Sequence, residues 1–370
     1  MDRHVKVGEV DLESRDLAEQ RHDDFLTLRD DPLFDESIYL PPNSMVKGRD
    51  EAINDFLNRW MEIGVKALVH CPFRRPCRGF HPQIYAFESR FDAKFINPFA
   101  HYIRSGKPDG PWIHEVITPK SLPITATPHD LQVGLHGHFF YPELAADFLQ
   151  KMACNRSNCD LLLSTDTEAK ARLLHEFTDE YRLGQVVIRV VPNRGRDIGA
   201  FLTGFAEDIM KNYDIIGHVH AKRRLYDPNP AVGETWREFL WQNLLGDLFP
   251  MMDTIIQRLT GDNTIGIVFP NDPHLHGWDL NREAAENLAR RMGIKDKLPP
   301  FFEFPAGTMF WARVNAMRSL FELRFSWNDY PEEPVQGDGT MLHALERLMS
   351  FAVLPVGCRF ATTHVPGVGL

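Results

Sequence analysis

Apolar and polar positions recur along this chain with two different rhythms, and the change of rhythm divides it. Residues 1–45 show neither: they are polar, rich in Asp and Glu, and end in the proline-containing stretch DDPLFDESIYLPPNS. That composition predicts an arm with little order beyond one helix. From 46 to 67 the spacing becomes helical, and Ile53, Phe56, Leu57, Trp60 and Ile63 fall on one face. Residues 80–112 read as a compact helical module. Asn97 is a good N-cap there, Pro98 suits the first helical position, and Gly106 ends a short helix whose apolar face is Phe99, Tyr102 and Ile103. The proline-rich run IHEVITPKSLPITATPHD at 113–130 predicts a linker.

From 131 onward, strand-length apolar runs alternate with amphipathic helices. The strands are predicted at LQVGLHGHFF (131–140), LLLST (161–165), VVIRVV (186–191) and DIIGHVH (214–220), with helices at 142–152 and 197–211 between them. A helix after 165 is expected to start with a capping box of Thr165 and Glu168. Helices follow at 234–246, 249–260 and 339–349, and strands at 264–270, 307–313 and, last, VLPVG at 353–357. The β-α alternation predicts an α/β fold over 131–370: a mainly parallel sheet flanked by helices, preceded by the small helical module at 46–112. Ligands of such sheets sit at the carboxyl ends of the strands, so the loops after 136, 164, 191, 220 and 270 are the ones to inspect.

Length and charge narrow the field. A chain of 370 residues allows two or three domains, and a net charge of −10 argues against a nucleic-acid partner. The five cysteines form no CxxC pair and suit a reducing cytosol. The first twenty residues lack an apolar core like that of a signal peptide, and no apolar run approaches the roughly 18 residues of a membrane span. A cytoplasmic location is therefore expected. Action on a membrane-linked acceptor would mean peripheral docking on the inner membrane.

Chemistry concentrates in three places. The first is the loop PNRGRDIGAF (192–201), where Arg194 and Arg196 flank Gly195 and lead into a helix carrying Asp197. Backbone N–H groups at a helix start, with guanidiniums beside them, suit an anion such as a pyrophosphate; solvated arginines and a capping aspartate are the competing reading. The second is the strand end HVHAKRR (218–224), where His218, His220 and Lys222 point to one face. Without a clear third ligand, metal binding is the lesser reading, and a basic end that neutralises phosphate or an inert basic loop both stand. The third is the run 328–348, where Glu332, Glu333 and Asp338 precede a helix as bases for a sugar hydroxyl or as ordinary caps. Asp166, ending the second strand, can accept from a nucleobase or cap its helix. His136 and His138 end the first strand, as substrate contacts or as satisfied core histidines.

Taken in order, PNRGRDIGAF, YDIIGHVHAKR, TWREFLWQNLLGD, FPAGTMFWAR and GDGTMLHALERL resemble the serial motifs of the rhamnan synthesis F family. Upstream, FHPQIYAF and NPFAHYIRSGKPDG resemble a small module found beside bacterial polysaccharide glycosyltransferases. The resemblance implies transfer of a sugar, often rhamnose, from a nucleotide-sugar donor to a glycan or lipid-linked glycan acceptor during synthesis of O-antigen or rhamnan-type polysaccharide. It also implies a GT-A-like fold. On that analogy Asp166 falls where a donor base is held. HVHAKR falls where many such enzymes carry an Asp-x-Asp metal motif, so that His218 and His220 replace both acids and metal dependence is doubtful. Arg194, Arg196, His220 and Lys222 would then bind the donor diphosphate, Asp197 and His218 would belong to the same donor site, and Asp338 or Glu333 would be the base of an inverting reaction. A non-catalytic carbohydrate-binding or scaffold protein is the alternative expectation.

Overall fold

The computed structural model describes residues 7–66, 73–90, 96–119, 130–221 and 230–370. Its strands are β1 (Phe73–Arg74), β2 (Val116–Ile117), β3 (Val133–His138), β4 (Asp160–Thr165), β5 (Val186–Val190), β6 (Ile215–His220), β7 (Ile265–Pro270), β8 (His274–Leu275), β9 (Phe310–Arg313) and β10 (Arg359–Thr363). The chain divides into two compact units: 1–114 with 273–276 and 369, and 115–272 with 277–368 and 370.

The first unit is helical. Its helices are Val7–Asp30, Glu36–Tyr39, Arg49–Lys66, Pro82–Ser89 and Pro98–Arg104, beside an antiparallel pair of β1 and β8. Aromatic rings fill its core: Phe56 packs within 6.5 Å of Phe34, Tyr39, Phe73 and Phe99, counted between ring centroids. In the acidic stretch the one expected helix is long, Val7–Asp30, and a docked turn follows it. Leu28, Phe34 and Tyr39 are buried, and Arg49 donates to the carbonyls of Leu28 and Phe34. The bond to Leu28 satisfies a carbonyl that the helix end leaves open. Asn97 caps as expected, accepting from the N–H groups of Phe99 and Ala100.

The second unit is built on an eight-stranded sheet in the order β2-β10-β7-β9-β6-β3-β4-β5. Every pairing is parallel except the two made by β9, which runs antiparallel between β6 and β7. Strands alternate their side chains between two helical layers. Leu135, Leu161, Leu163, Val219 and Trp311 join one apolar cluster with Phe148, Trp241 and Ile255. Leu162, Ile216, Phe269 and Phe310 join the other with Phe201, Phe205, Leu288 and Leu345. The mainly parallel α/β sheet flanked by helices, with helices before it, is thus present.

Several boundaries differ from expectation for local reasons. Part of the expected linker is β2, which adds to the sheet edge by pairing with β10. The expected strand 353–357 is a short 3-10 turn, Leu354–Val356, because Pro355 removes a donor and Gly357 takes φ 75; the last strand is β10. Thr165 does not cap the next helix. Thr167 does, accepting from the Lys170 N–H, while the Thr165 hydroxyl donates to the Phe139 carbonyl at 2.8 Å.

The expected helix 197–211 is broken. It starts as Arg196–Gly199, loosens into a π-helical turn at Ala200–Gly204, and resumes at Ala206–Asn212. The start is tight: Gly195 has φ 74, and a side chain there would also meet the Tyr330 ring at 2.7 Å. A Cβ on Gly199 would lie 2.6 Å from the Arg194 carbonyl oxygen, a backbone atom that cannot step aside. Gly199→Ala is therefore expected to cost about 1–3 kcal/mol where Gly→Ala in an open helix stabilises, as a lowered urea midpoint will report.

Candidate active site

The strand order places a topological switch point between β3 and β6: from β3 the chain moves outward through β4 and β5, then returns to β6 on the other side of β3. The crevice at the carboxyl ends of such strands is where open α/β sheets bind ligands. Register brings the histidines together there. His136 lies opposite His218, and His138 lies opposite both His220 on β6 and Ser164 on β4. Alternation puts all five on one face of the sheet.

Their polar atoms form a continuous chain. His138 Nδ1 is 3.0 Å from Ser164 Oγ, Ser164 Oγ is 3.2 Å from His136 Nε2, and His136 Nδ1 is 2.8 Å from His218 Nδ1. His218 Nε2 in turn lies 3.4 Å from Asp197 Oδ2. His136, Ser164 and His218 are fully buried, and Asp197 is only 8% exposed. Phe201, Phe205 and Phe310 wall the two inner imidazoles, with centroids 4.6 to 5.6 Å away. Burial holds His136 far below its ordinary range, helped by the neighbouring His218. Burial likewise pushes His138 down to about 4, against the pull of Asp197. Polar groups in such a layer are tolerable because each finds a partner.

The tight helix start delivers Asp197. With Gly195 in the left-handed region and Arg196 at φ 51, the chain turns so that Asp197 faces His218 instead of capping its own helix. The two arginines face the other way. Arg194 donates to the carbonyls of Tyr330 and Asn328 and to the Asn328 side chain. Arg196 reaches Glu333 at 3.4 Å and the Val335 carbonyl at 3.1 Å. Together they clasp the segment 328–335. Tyr330, inside that clasp, is held by Thr203 of the π-helical turn, oxygen to oxygen 2.9 Å.

The other expected site residues scatter around this centre. Asp166 ends β4, pairs with Lys170 at 2.6 Å, and its charge acts on His138. His220 Nε2 lies 2.8 Å from the Gly307 carbonyl and must donate to it. The Gly307 N–H is in turn held by Glu346 at 2.6 Å. Lys222 lies outside the described residues. Glu333 also accepts from the Val335 N–H at 2.9 Å. Asp338 does not cap the helix Met341–Leu348, whose N-cap is Thr340. It accepts from the Asn281 amide at 2.6 Å and from the Leu280 N–H at 3.4 Å, tying two loops together. Burial would raise its pKa, but those hydrogen bonds, with the Gly339 N–H and the Arg347 charge, hold it below the usual carboxylate range.

The donor set at the end of β6 does not fit a divalent ion: His220 Nε2 is spent on a carbonyl, and both His218 nitrogens face His136 and Asp197.

The model of the family described as rhamnan synthesis protein F matches residues 88–357, most of the chain. The chain belongs to the rhamnan synthesis protein F family. The broken helix start, the histidine chain and the arginine clasp all lie inside that family match. Among curated relatives, the chain is 30% identical over 183 residues to proteins described as the uncharacterized protein WxcX from two strains of Xanthomonas campestris pv. campestris, B100 and ATCC 33913. The match covers 49% of this chain and 26% of each relative, so the chain aligns with about a quarter of their length. The apo structure of mouse xyloside xylosyltransferase 1 aligns over 63% of this chain and 84% of its own, at 8% identity and a TM-score of 0.32, a likeness too loose to carry an argument. No helix among the described residues is long and apolar enough to cross a membrane.

Ser164, Asn281, Tyr330 and Glu346 escaped the sequence reading. Ser164 had one available signal: it ends an apolar strand as its only polar residue before Thr165. Its role needs the β3–β4 register, which periodicity does not supply.

Asp338 gives a test of this geometry. Its folded carboxyl is held low, so its stabilising contribution is present above about pH 4 and is lost as pH falls through the folded value. Asp338→Asn should cost about 1 kcal/mol at pH 7, and the gap to wild type should narrow in denaturant titrations as pH falls through the lowered folded value. A constant gap would remove the carboxylate from that role.

Proposed function

We propose that the second unit is a glycosyltransferase with a GT-A-like arrangement, transferring a sugar from a nucleotide-sugar donor to a glycan or lipid-linked glycan of a cell-surface polysaccharide, with rhamnose as the expected sugar. The observation that carries this reading is the convergence, at the switch point of a parallel sheet in a rhamnan synthesis F chain, of His138, Asp166, Asp197 and His220. Membership of that family supports the polymer, and the strand-end location supports the donor site.

Inversion needs an acceptor hydroxyl to attack the anomeric carbon as the bond to the diphosphate breaks. Negative charge grows on the leaving diphosphate, and preorganised cations lower the barrier there. Arg194 and Arg196 suit that task even while holding 328–335. Each guanidinium has five donors, and the contacts described occupy three and two of them. Asp166 suits the nucleobase, and Lys222 adds charge in the segment that follows β6. No step needs a metal in this reading.

The two carboxylates offered by the sequence as base are each engaged. Asp338 is held as an ion by Asn281 and the Leu280 N–H, and Glu333 is tied to Arg196 and the Val335 N–H. That engagement, with both arginines bound to protein carbonyls, favours a second reading: a glycan-binding protein of polysaccharide assembly without turnover.

Titrating nucleotide sugars, dTDP-rhamnose and the GDP and UDP sugars among them, against tryptophan fluorescence separates the two. The transferase reading expects saturable binding of one donor, unchanged by EDTA and weakened at least tenfold in Arg196→Ala, and release of nucleoside diphosphate with acceptor present. Folded protein that binds none of them, or binds glycan without release, would leave the second reading.

A further inference from the structure

We infer that His138, Ser164, His136, His218 and Asp197 form a proton relay, in which His138 takes the proton of the attacking hydroxyl and the charge comes to rest on His218 beside Asp197. The inference rests on the transferase reading, for which it supplies the missing base.

The geometry is a single file of donors and acceptors. His138 is half-buried and ends β3 at the switch point, so its ring is the outer end of the file. Its Nε2 makes no hydrogen bond among the described residues, while its Nδ1 is engaged with Ser164. With all three rings neutral, one arrangement satisfies every link. His218 donates from Nε2 to Asp197, His136 donates from Nδ1 to His218 Nδ1, Ser164 donates to His136 Nε2, and His138 donates from Nδ1 to Ser164. His138 Nε2 is then left bare.

A proton arriving at Nε2 moves each of these hydrogens one place. The acceptor O–H bond breaks and an N–H forms on His138 Nε2. The Nδ1 proton of His138 passes to Ser164, the Ser164 proton to His136 Nε2, and the His136 Nδ1 proton to His218 Nδ1. His218 becomes an imidazolium whose Nε2–H still points at the Asp197 carboxylate, and Ser164, His136 and His138 are neutral as before. The hydroxyl oxygen, now carrying the electron pair, bonds to the anomeric carbon while the diphosphate leaves. The proton returns to water by the reverse shift.

Electrostatics fix where the charge stops. Burial disfavours a cation on His136 or His138. His220 on β6 and Arg189 on β5 add repulsion to one or other of these rings, and Asp166 at the end of β4 adds a partial attraction to His138. His218 is the ring of the three that touches a carboxylate. A buried cation is tolerable beside an opposite charge and hardly elsewhere. The relay thus lets the outer ring pass its charge to the ring that lies beside a carboxylate.

The test uses the whole chain with 15N-labelled histidine, titrated by NMR without donor, alongside turnover of the donor found above. Wild type should show His138 and His218 responding at one midpoint, with the 15N shifts placing the charge on His218. Ser164→Ala should separate the two titrations, lower kcat about 100-fold, move the acid limb of the pH profile and leave donor binding unchanged. Ser164→Thr, which keeps the hydroxyl, should restore the coupling. Should either variant at the buried Ser164 fail to fold by circular dichroism, His138→Gln at the half-buried end decides. It keeps a donor to Ser164 but cannot take a proton, so kcat should fall while donor affinity stays and the His218 titration moves. Independent titration of His138 and His218 in wild type, or unaltered kcat and pH profile in the variants, would overturn the relay. A chain that turns over no donor refutes the transferase reading, and the NMR coupling then judges the relay by itself.

Discussion

Two imidazoles set side by side under an aromatic layer stand only if every nitrogen has a partner, and much of this sheet's centre follows from that requirement. The 2.8 Å contact between His136 and His218 demands in-register pairing of β3 with β6. It demands Ser164 on one flank and a carboxylate on the other. The carboxylate comes from Asp197, which reaches the sheet because the helix begins abruptly at Gly195 and loosens directly after Gly199. A smooth helix with Asp197 as its cap would turn the same residue outward. The glycines, the π-helical turn and the histidine chain are therefore one device.

The same helix start has a second side. Arg194 and Arg196, on either flank of Gly195, hold the segment from Asn328 to Val335, and Tyr330 of that segment packs over Gly195. Each of these cations thereby serves more than one oxygen of the protein. The cost of sharing is small for a guanidinium, whose fork of donors serves several oxygens at once. A lysine could not fill either position in the same way.

How far the molecule was legible depended on the range of the interaction concerned. The β-α rhythm from 131 onward and the capping of the helix at Asn97 rest on local rules, and the structure follows them. The extent of the helix from Val7 was not legible, because its last turn is held by partners such as Arg49 that a window of acidic residues does not contain. VLPVG misled because an apolar run was given more weight than the proline inside it. Asp338 reads in the sequence as a base or a helix cap, yet its partner Asn281 lies 57 residues away in sequence. The alternation of histidines on two strands was visible, whereas their partnership depends on register and could not be.

The most direct test of the central claim is a crystal structure of the chain with its nucleotide-sugar donor. The account predicts the donor over the carboxyl ends of β3, β4 and β6, its diphosphate within reach of Arg194 and Arg196 and its anomeric carbon facing His138. A donor bound at the opposite ends of these strands, or with its reacting carbon turned away from the histidine chain, would contradict it.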